Sequence, residues 1–252
     1  MFRLARGSRL LPLQFRHFNW YRVNYLLFVD TETTGLPRRW QQPYSVEQNW
    51  PHIAQLAWQL YTEAGELVKS EEAYLSVPAG SMTAASQAIH GLSPDFLAAQ
   101  GQPAEQVLRR FLADVQQYRP RLVGHFLQLD FHMLGAAFWR AGLPNPLPGL
   151  PQFCTMQSTR LLPFRPANRA LRLAELYALL FQEAMPRLHD ASTDAAATAR
   201  CFFELRRQGI ISDAVLAGQA PLTEPTGSGP LTGWGRLLQT LLGTLSVLTG
   251  CN

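Results

Sequence analysis

Four acidic residues and one histidine stand where strands, loops and helices are expected to meet. Asp30 and Glu32 close the apolar run Tyr25-Leu26-Leu27-Phe28-Val29. Residues two apart on a strand share a face, so both carboxylates project together. Two unit charges about 4 Å apart repel by about 4 kcal/mol at an effective dielectric near 20. A hard divalent cation removes that cost, and Mg²⁺ takes oxygen ligands while keeping water and phosphate oxygens in its shell. The plain alternative is an exposed pair, separately solvated, and the pair alone does not decide. Asp130 opens a helix just after the short strand Arg121-Leu122-Val123-Gly124, and His189 and Asp194 lie in His189-Asp190-Ala191-Ser192-Thr193-Asp194, where a loop leads into a helix.

The elements that position these residues follow from periodicity. Residues 25–29 are short, apolar and rich in β-formers, which reads as a buried strand. Residues 52–61 and 67–77 read as two more strands, joined by a turn at Gly65, so the first three strands form a meander. Val107, Leu108, Phe111, Leu112 and Val115 mark one face of a helix over 103–118. Helices are expected over 128–141, 170–182 and 192–208, the last capped by Ser192 or Asp190. Pro144, Pro146, Pro148 and Pro151 argue against regular structure in that loop.

The segment Phe28-Val29-Asp30-Thr31-Glu32-Thr33-Thr34-Gly35-Leu36 resembles the first motif of the DEDDh 3′–5′ exonucleases, particularly the proofreading (epsilon) subunits of bacterial replicative DNA polymerases. Asp130 falls on the family's second motif, and His189 and Asp194 on its third. Ser86 to Leu92 resembles the segment between the first two motifs, and Leu171 to Leu180 the helix before the third. The likeness spans roughly residues 24–208. Two positions depart from it: Phe126 stands where the family carries Asn, and Leu129 where it carries Phe.

The resemblance implies an α/β, RNase H-like fold, a mixed central sheet flanked by helices. It implies phosphodiester hydrolysis with two Mg²⁺, replaceable by Mn²⁺, held by Asp30, Glu32, Asp130 and Asp194. His189 would be the general base. Thr31, Thr33, Leu36 and His90 would line the site of the 3′ nucleotide, and Phe126 would stack on a base or belong to the core. The implied substrate is the 3′ end of a nucleic acid, single-stranded DNA above all. An RNA-directed exoribonuclease of the same family is the alternative, and a non-catalytic nucleic-acid-binding module a weaker one. His132 is expected on a helix face without chemistry.

Composition agrees with one folded domain carrying tails. Of 252 residues, 47% are hydrophobic and 16% charged, enough apolar material for a sizeable core. The net charge of +4 comes from Arg3, Arg6, Arg9, Arg16 and Arg22, all ahead of the first acid, Asp30. The body is near neutral, so charge alone does not argue for nucleic acid. The expected organisation is a basic arm at 1–23, an exonuclease domain at 24–217, a Gly/Pro/Thr-rich linker at 218–233 and an amphipathic helix at 234–252. The arm is a flexible segment or a targeting peptide. The helix, with Trp234, Leu237, Leu238, Leu241, Leu242, Leu245 and Leu248 at helical spacing, would dock a polymerase or self-associate through residues 234–249. Three scattered cysteines point to a reducing, cytoplasmic setting, and no apolar run is long enough for a spanning helix.

Overall fold

The computed structural model describes residues 24–163, 166 and 169–226. The basic arm, the C-terminal helix and residues 227–233 of the linker lie outside the described residues. Strands β1 (Tyr25–Thr33), β2 (Ile53–Thr62) and β3 (Leu67–Tyr74) form the antiparallel meander. The short α1 (Ala84–His90) and α2 (Pro94–Gln100) follow, then α3 (Ala104–Tyr118), β4 (Arg121–Gly124) and α4 (Leu127–Arg140). Strand β5 (Gln152–Cys154) runs into α5 (Thr155–Ser158), and α6 (Leu173–Phe181), α7 (Ala191–Arg207) and α8 (Asp213–Gly218) complete the described chain. The sheet order is β3-β2-β1-β4-β5, with β4 parallel to both β1 and β5. This is the mixed sheet flanked by helices that the sequence implies.

Alternation along β1 divides the core in two. Leu27 and Val29 pack with Phe111, Phe131 and Phe138 of α3 and α4. Leu26 and Phe28 pack on the other face with Leu176 of α6 and Phe202 of α7. Trp58 is fully buried on β2, edge-on to Phe111 with ring centroids 5.4 Å apart, and its indole N–H donates to Asp114 at 2.8 Å. Aromatic packing of this kind supplies large buried area with a fixed geometry, provided the polar edge has a partner.

Several elements differ from expectation. The third strand stops at Tyr74, and only Leu75 bridges onward, to Gln102. The proline-rich loop holds a 3₁₀ turn at Leu147–Gly149, because a proline in the first turn forfeits no helical hydrogen bond. Helix α7 starts at Ala191 and is capped by Asp190, one of the two expected caps, whose side chain accepts the Thr193 N–H at 2.9 Å. The start of the expected linker lies against β5. The Gln219 side chain accepts the Cys154 N–H at 2.7 Å and donates to the Cys154 carbonyl at 3.0 Å. Gln152 accepts the Leu222 N–H at 2.8 Å. Two side-chain amides thus stand in for a backbone ladder and occupy the sheet edge. No helix among the described residues is long and apolar enough to cross a membrane.

Candidate active site

The last residues of β1 carry acids and hydroxyls on opposite faces. Asp30 and Glu32 continue the Leu26–Phe28 side, toward α7, whose first turn holds Asp194. Thr31 continues the Leu27–Val29 side, toward α4, whose first turn holds Asp130. The Thr31 hydroxyl donates to Asp130 Oδ1 at 2.8 Å, both groups being buried. The acids therefore arrive from both helical layers and meet at the end of β1.

Their electrostatics record the meeting. Asp30 is held well above the ordinary carboxylate range by burial, then by Asp130, Asp194 and Glu32. Burial and the charges of Asp194, Asp130 and Asp190 push Glu32 up to about 8. Asp130 rises to about 7 through burial, although the Thr31 hydroxyl pulls it back. Asp194 rises to about 7 through burial and Asp190. Among the described residues no salt bridge from a lysine or arginine reaches any of these four acids. Buried charges of one sign are tolerated when a counter-ion arrives or a proton stays on.

A divalent cation fits this donor set. Glu32, His189 and Asp194 each offer a ligand atom within 4.8 Å of the other two. Asp194 Oδ1 is buried with no hydrogen-bond partner among the described residues, an acceptor of the kind a cation satisfies. The chemistry available is stabilisation of negative charge on a phosphoryl group.

The histidines divide by environment. His189 sits on the loop before α7 with φ 62°, two residues after Arg187 at φ 43°. Two non-glycine residues with positive φ in one short loop are uncommon and mark a constrained approach. Burial and Arg172 lower the His189 pKa, which favours the neutral imidazole. His90 Nδ1 accepts the Leu92 N–H at 3.0 Å, so Nε2 carries the proton and donates to the Thr33 carbonyl at 3.3 Å. His125 is buried between the Thr155 hydroxyl at 2.9 Å and the Leu171 carbonyl at 3.0 Å. His132 lies buried among Trp40, Tyr44 and Trp50, with the Tyr44 hydroxyl 3.0 Å from Nδ1. Burial takes both His125 and His132 down to about 4.

Of the residues expected at the substrate, Leu36 is 37% exposed beside the acids' strand. Thr31 spends its hydroxyl on Asp130, and Thr33 turns its own onto the Gly35 carbonyl at 2.7 Å. Phe126 is half-buried and forms the N-cap of α4 with φ 71°.

The family model described as Exonuclease (RNase T) matches residues 27–202. The chain belongs to this exonuclease family. Solved structures agree on the fold. A zinc-bound complex of E. coli exonuclease I with single-stranded DNA matches with TM-score 0.60 and 18% identity, over 74% of this chain and 41% of that one. E. coli exonuclease I in complex with a dA16 oligonucleotide matches with TM-score 0.58 and 18% identity, over 73% and 41%. The exonuclease domain thus spans about two fifths of those chains. No curated protein matches it.

Two parts of the exonuclease site escaped the sequence reading. Gln55, 1% exposed on β2 and paired in register with Glu32, accepts the Ala191 N–H at 3.1 Å and donates to Asp190 Oδ2 at 3.1 Å and Glu72 Oε1 at 2.8 Å. It ties the start of α7 to the sheet. The one signal was a polar residue inside an apolar strand. The other part is the loop after Leu36. Arg140 on α4 donates to the carbonyls of Pro51 at 2.9 Å and Glu47 at 3.1 Å, and also to Trp50. Loop contacts of this length leave no periodic trace in a sequence.

Proposed function

We propose that this protein is a 3′–5′ exonuclease that releases nucleotides from the 3′ ends of single-stranded DNA. The observation that carries the reading is the convergence of Asp30, Glu32, Asp130 and Asp194, two of them buried and two half-buried, with no salt bridge to a lysine or arginine among the described residues. The substrate class is supported by the exonuclease family match and by the oligonucleotide complexes formed by the structural neighbours.

In this reading Asp30, Glu32, Asp130 and Asp194 would hold two Mg²⁺, for which Mn²⁺ could substitute. The ions would supply charge to stabilise both the attacking and the leaving oxygen of the phosphodiester. His189, neutral on its loop, takes the proton of the attacking water on an imidazole nitrogen. Water attacks phosphorus, the bond to the 3′ oxygen breaks, and the shortened strand keeps a 3′ hydroxyl. Leu36 and His90 border the terminal nucleoside. Thr31 and Thr33 act as positioning residues, one through Asp130 and the other by shaping the turn at Gly35. The buried free thiols of Cys154 and Cys201 suit a reducing compartment such as the cytoplasm.

The test is degradation of a 5′-labelled DNA strand with Mg²⁺ or Mn²⁺, with an RNA strand of equal sequence alongside. A ladder shortening from the 3′ end is expected for wild type and none for Asp30→Asn. Equal cleavage by the two proteins would overturn the assignment, and faster loss of the RNA would redirect the substrate.

A further inference from the structure

Phe126 occupies an unusual place. It caps α4 in the left-handed region at φ 71°, where a bulky residue is strained. It stands four residues before Asp130, at the same end of α4. Its backbone is pinned from behind: the preceding His125 is bonded on both ring nitrogens.

The Phe126 ring meets Trp40 edge-to-face, with centroids 6.1 Å apart and planes at 73°. Both rings are half-buried. An edge-to-face contact leaves ring faces free that an offset stack would cover. Trp40 is in turn held against His132 of α4, at 5.8 Å between ring centroids. The pair is thus anchored on the helix that carries Asp130. Beyond Phe126 opens a cavity of about 560 Å³, lined by Gln128, Met156, Gln157 and Gln219 as well as the phenyl ring. Directly before Trp40 come Arg38 and Arg39, both exposed, and neither guanidinium pairs with a carboxylate among the described residues.

We propose that Phe126 and Trp40 form a stacking subsite for a nucleobase of the single strand upstream of the scissile phosphate, with Arg38 and Arg39 following its backbone. Aromatic faces beside a cationic track are how proteins bind single strands without reading sequence. The amides of Gln128 and Gln157 border the same space with donors and acceptors suited to a base edge. A base in this subsite has left its stack, which a strand free of a complement does at low cost. The proposal deepens the single-strand exonuclease reading and rests on it for the direction of the strand.

The experiment measures binding separately from cleavage. A 5′-labelled DNA strand carries one abasic nucleotide at each of the first five positions from its 3′ end in turn. Fluorescence anisotropy in Ca²⁺ gives the affinity of each strand. Wild type should bind one of these strands about tenfold more weakly than the intact strand. Phe126→Asn, whose backbone tolerates positive φ, should bind the intact strand about tenfold more weakly and lose the penalty at that position. Trp40→Ala should move the same way, and Phe126→Tyr should restore wild-type behaviour. An unchanged positional penalty in Phe126→Asn, or no penalised position in wild type, would overturn the subsite. A protein that cleaves normally yet shows no penalty loses the subsite alone, whereas one that shows the penalty but never cleaves loses the exonuclease reading.

Discussion

Gln55 and Asp190 are bonded side chain to side chain at 3.1 Å, joining the second strand of the sheet to the helix that brings Asp194. The same amide accepts the Ala191 N–H, so one glutamine uses both its donor and its acceptor on the start of α7. Gln55→Ala leaves that buried N–H without a partner, which costs about 1–3 kcal/mol of stability. Urea unfolding should show this loss, and turnover should fall more than KM rises. Gln55→Glu should be worse, because its carboxylate meets Asp190 and Glu72.

Asp30→Asn removes one ionisable carboxyl from the four. Asp30 is pressed by burial first and by Asp130, Asp194 and Glu32 after it. The wild-type carboxyl holds its proton more tightly in the folded state than in the unfolded chain, so its penalty grows as pH rises. Without metal, the variant should melt at nearly the wild-type temperature near pH 4 and clearly above it at pH 8. Exonuclease activity should be lost. Equal melting at both values would mean that Asp30 is not repelled.

The pH dependence of the metal-free protein carries two opposite signs. Glu32 rises from 4.5 to about 8, and Asp130 and Asp194 rise from 3.8 to about 7. Raised carboxyls contribute stability that is full below their unfolded values and lost as pH rises through 7 to 8. His125 and His132 fall from 6.5 to about 4, so their contribution is full above 6.5 and lost as pH drops toward 4. The two trends oppose each other below 6.5, and only the carboxyls act above it. Thermal melting without metal should therefore fall between pH 6.5 and 8, and excess Mg²⁺ should flatten the slope.

Metal uptake near pH 7 should expel protons, since carboxyls that titrate at about 7 and about 8 must ionise to become ligands. Titration calorimetry in two buffers of different ionisation enthalpy reads this directly. Heats independent of buffer would place the metal elsewhere.

His189→Ala separates a base from a ligand. The ring lies within ligand distance of Glu32 and Asp194, so both roles are geometrically open. As the base, its loss should lower turnover about 10²- to 10⁴-fold with metal affinity kept. A matching loss of affinity in calorimetry would make His189 a ligand.

The sequence exposed those parts whose physics is periodic or local. Asp30 and Glu32 were legible because strand alternation sets two acids on one face after an apolar run. The stripe from Val107 to Val115 marked α3 for the same kind of reason. α1 buries none of its residues and α2 only Leu97, so no apolar stripe announced them. Their signals were end signals instead: Thr83 and Ser93 as caps, Pro94 in the first turn and Gly91 at φ 74°. β5 has three residues and follows Pro151, too short for any pattern. His132 was expected on a helix face without chemistry; Trp40, Tyr44 and Trp50 reach it from another loop, a contact no spacing rule contains.

The division of acids between the two helical layers makes the site a gauge of registry. Asp194 travels with one layer and Asp130 with the other, and the Thr31 hydroxyl is the bond that keys the second to the strand. A small slip of either layer would separate the carboxylates while leaving every helix and strand intact. Warming should therefore silence the molecule before far-ultraviolet dichroism reports any melting.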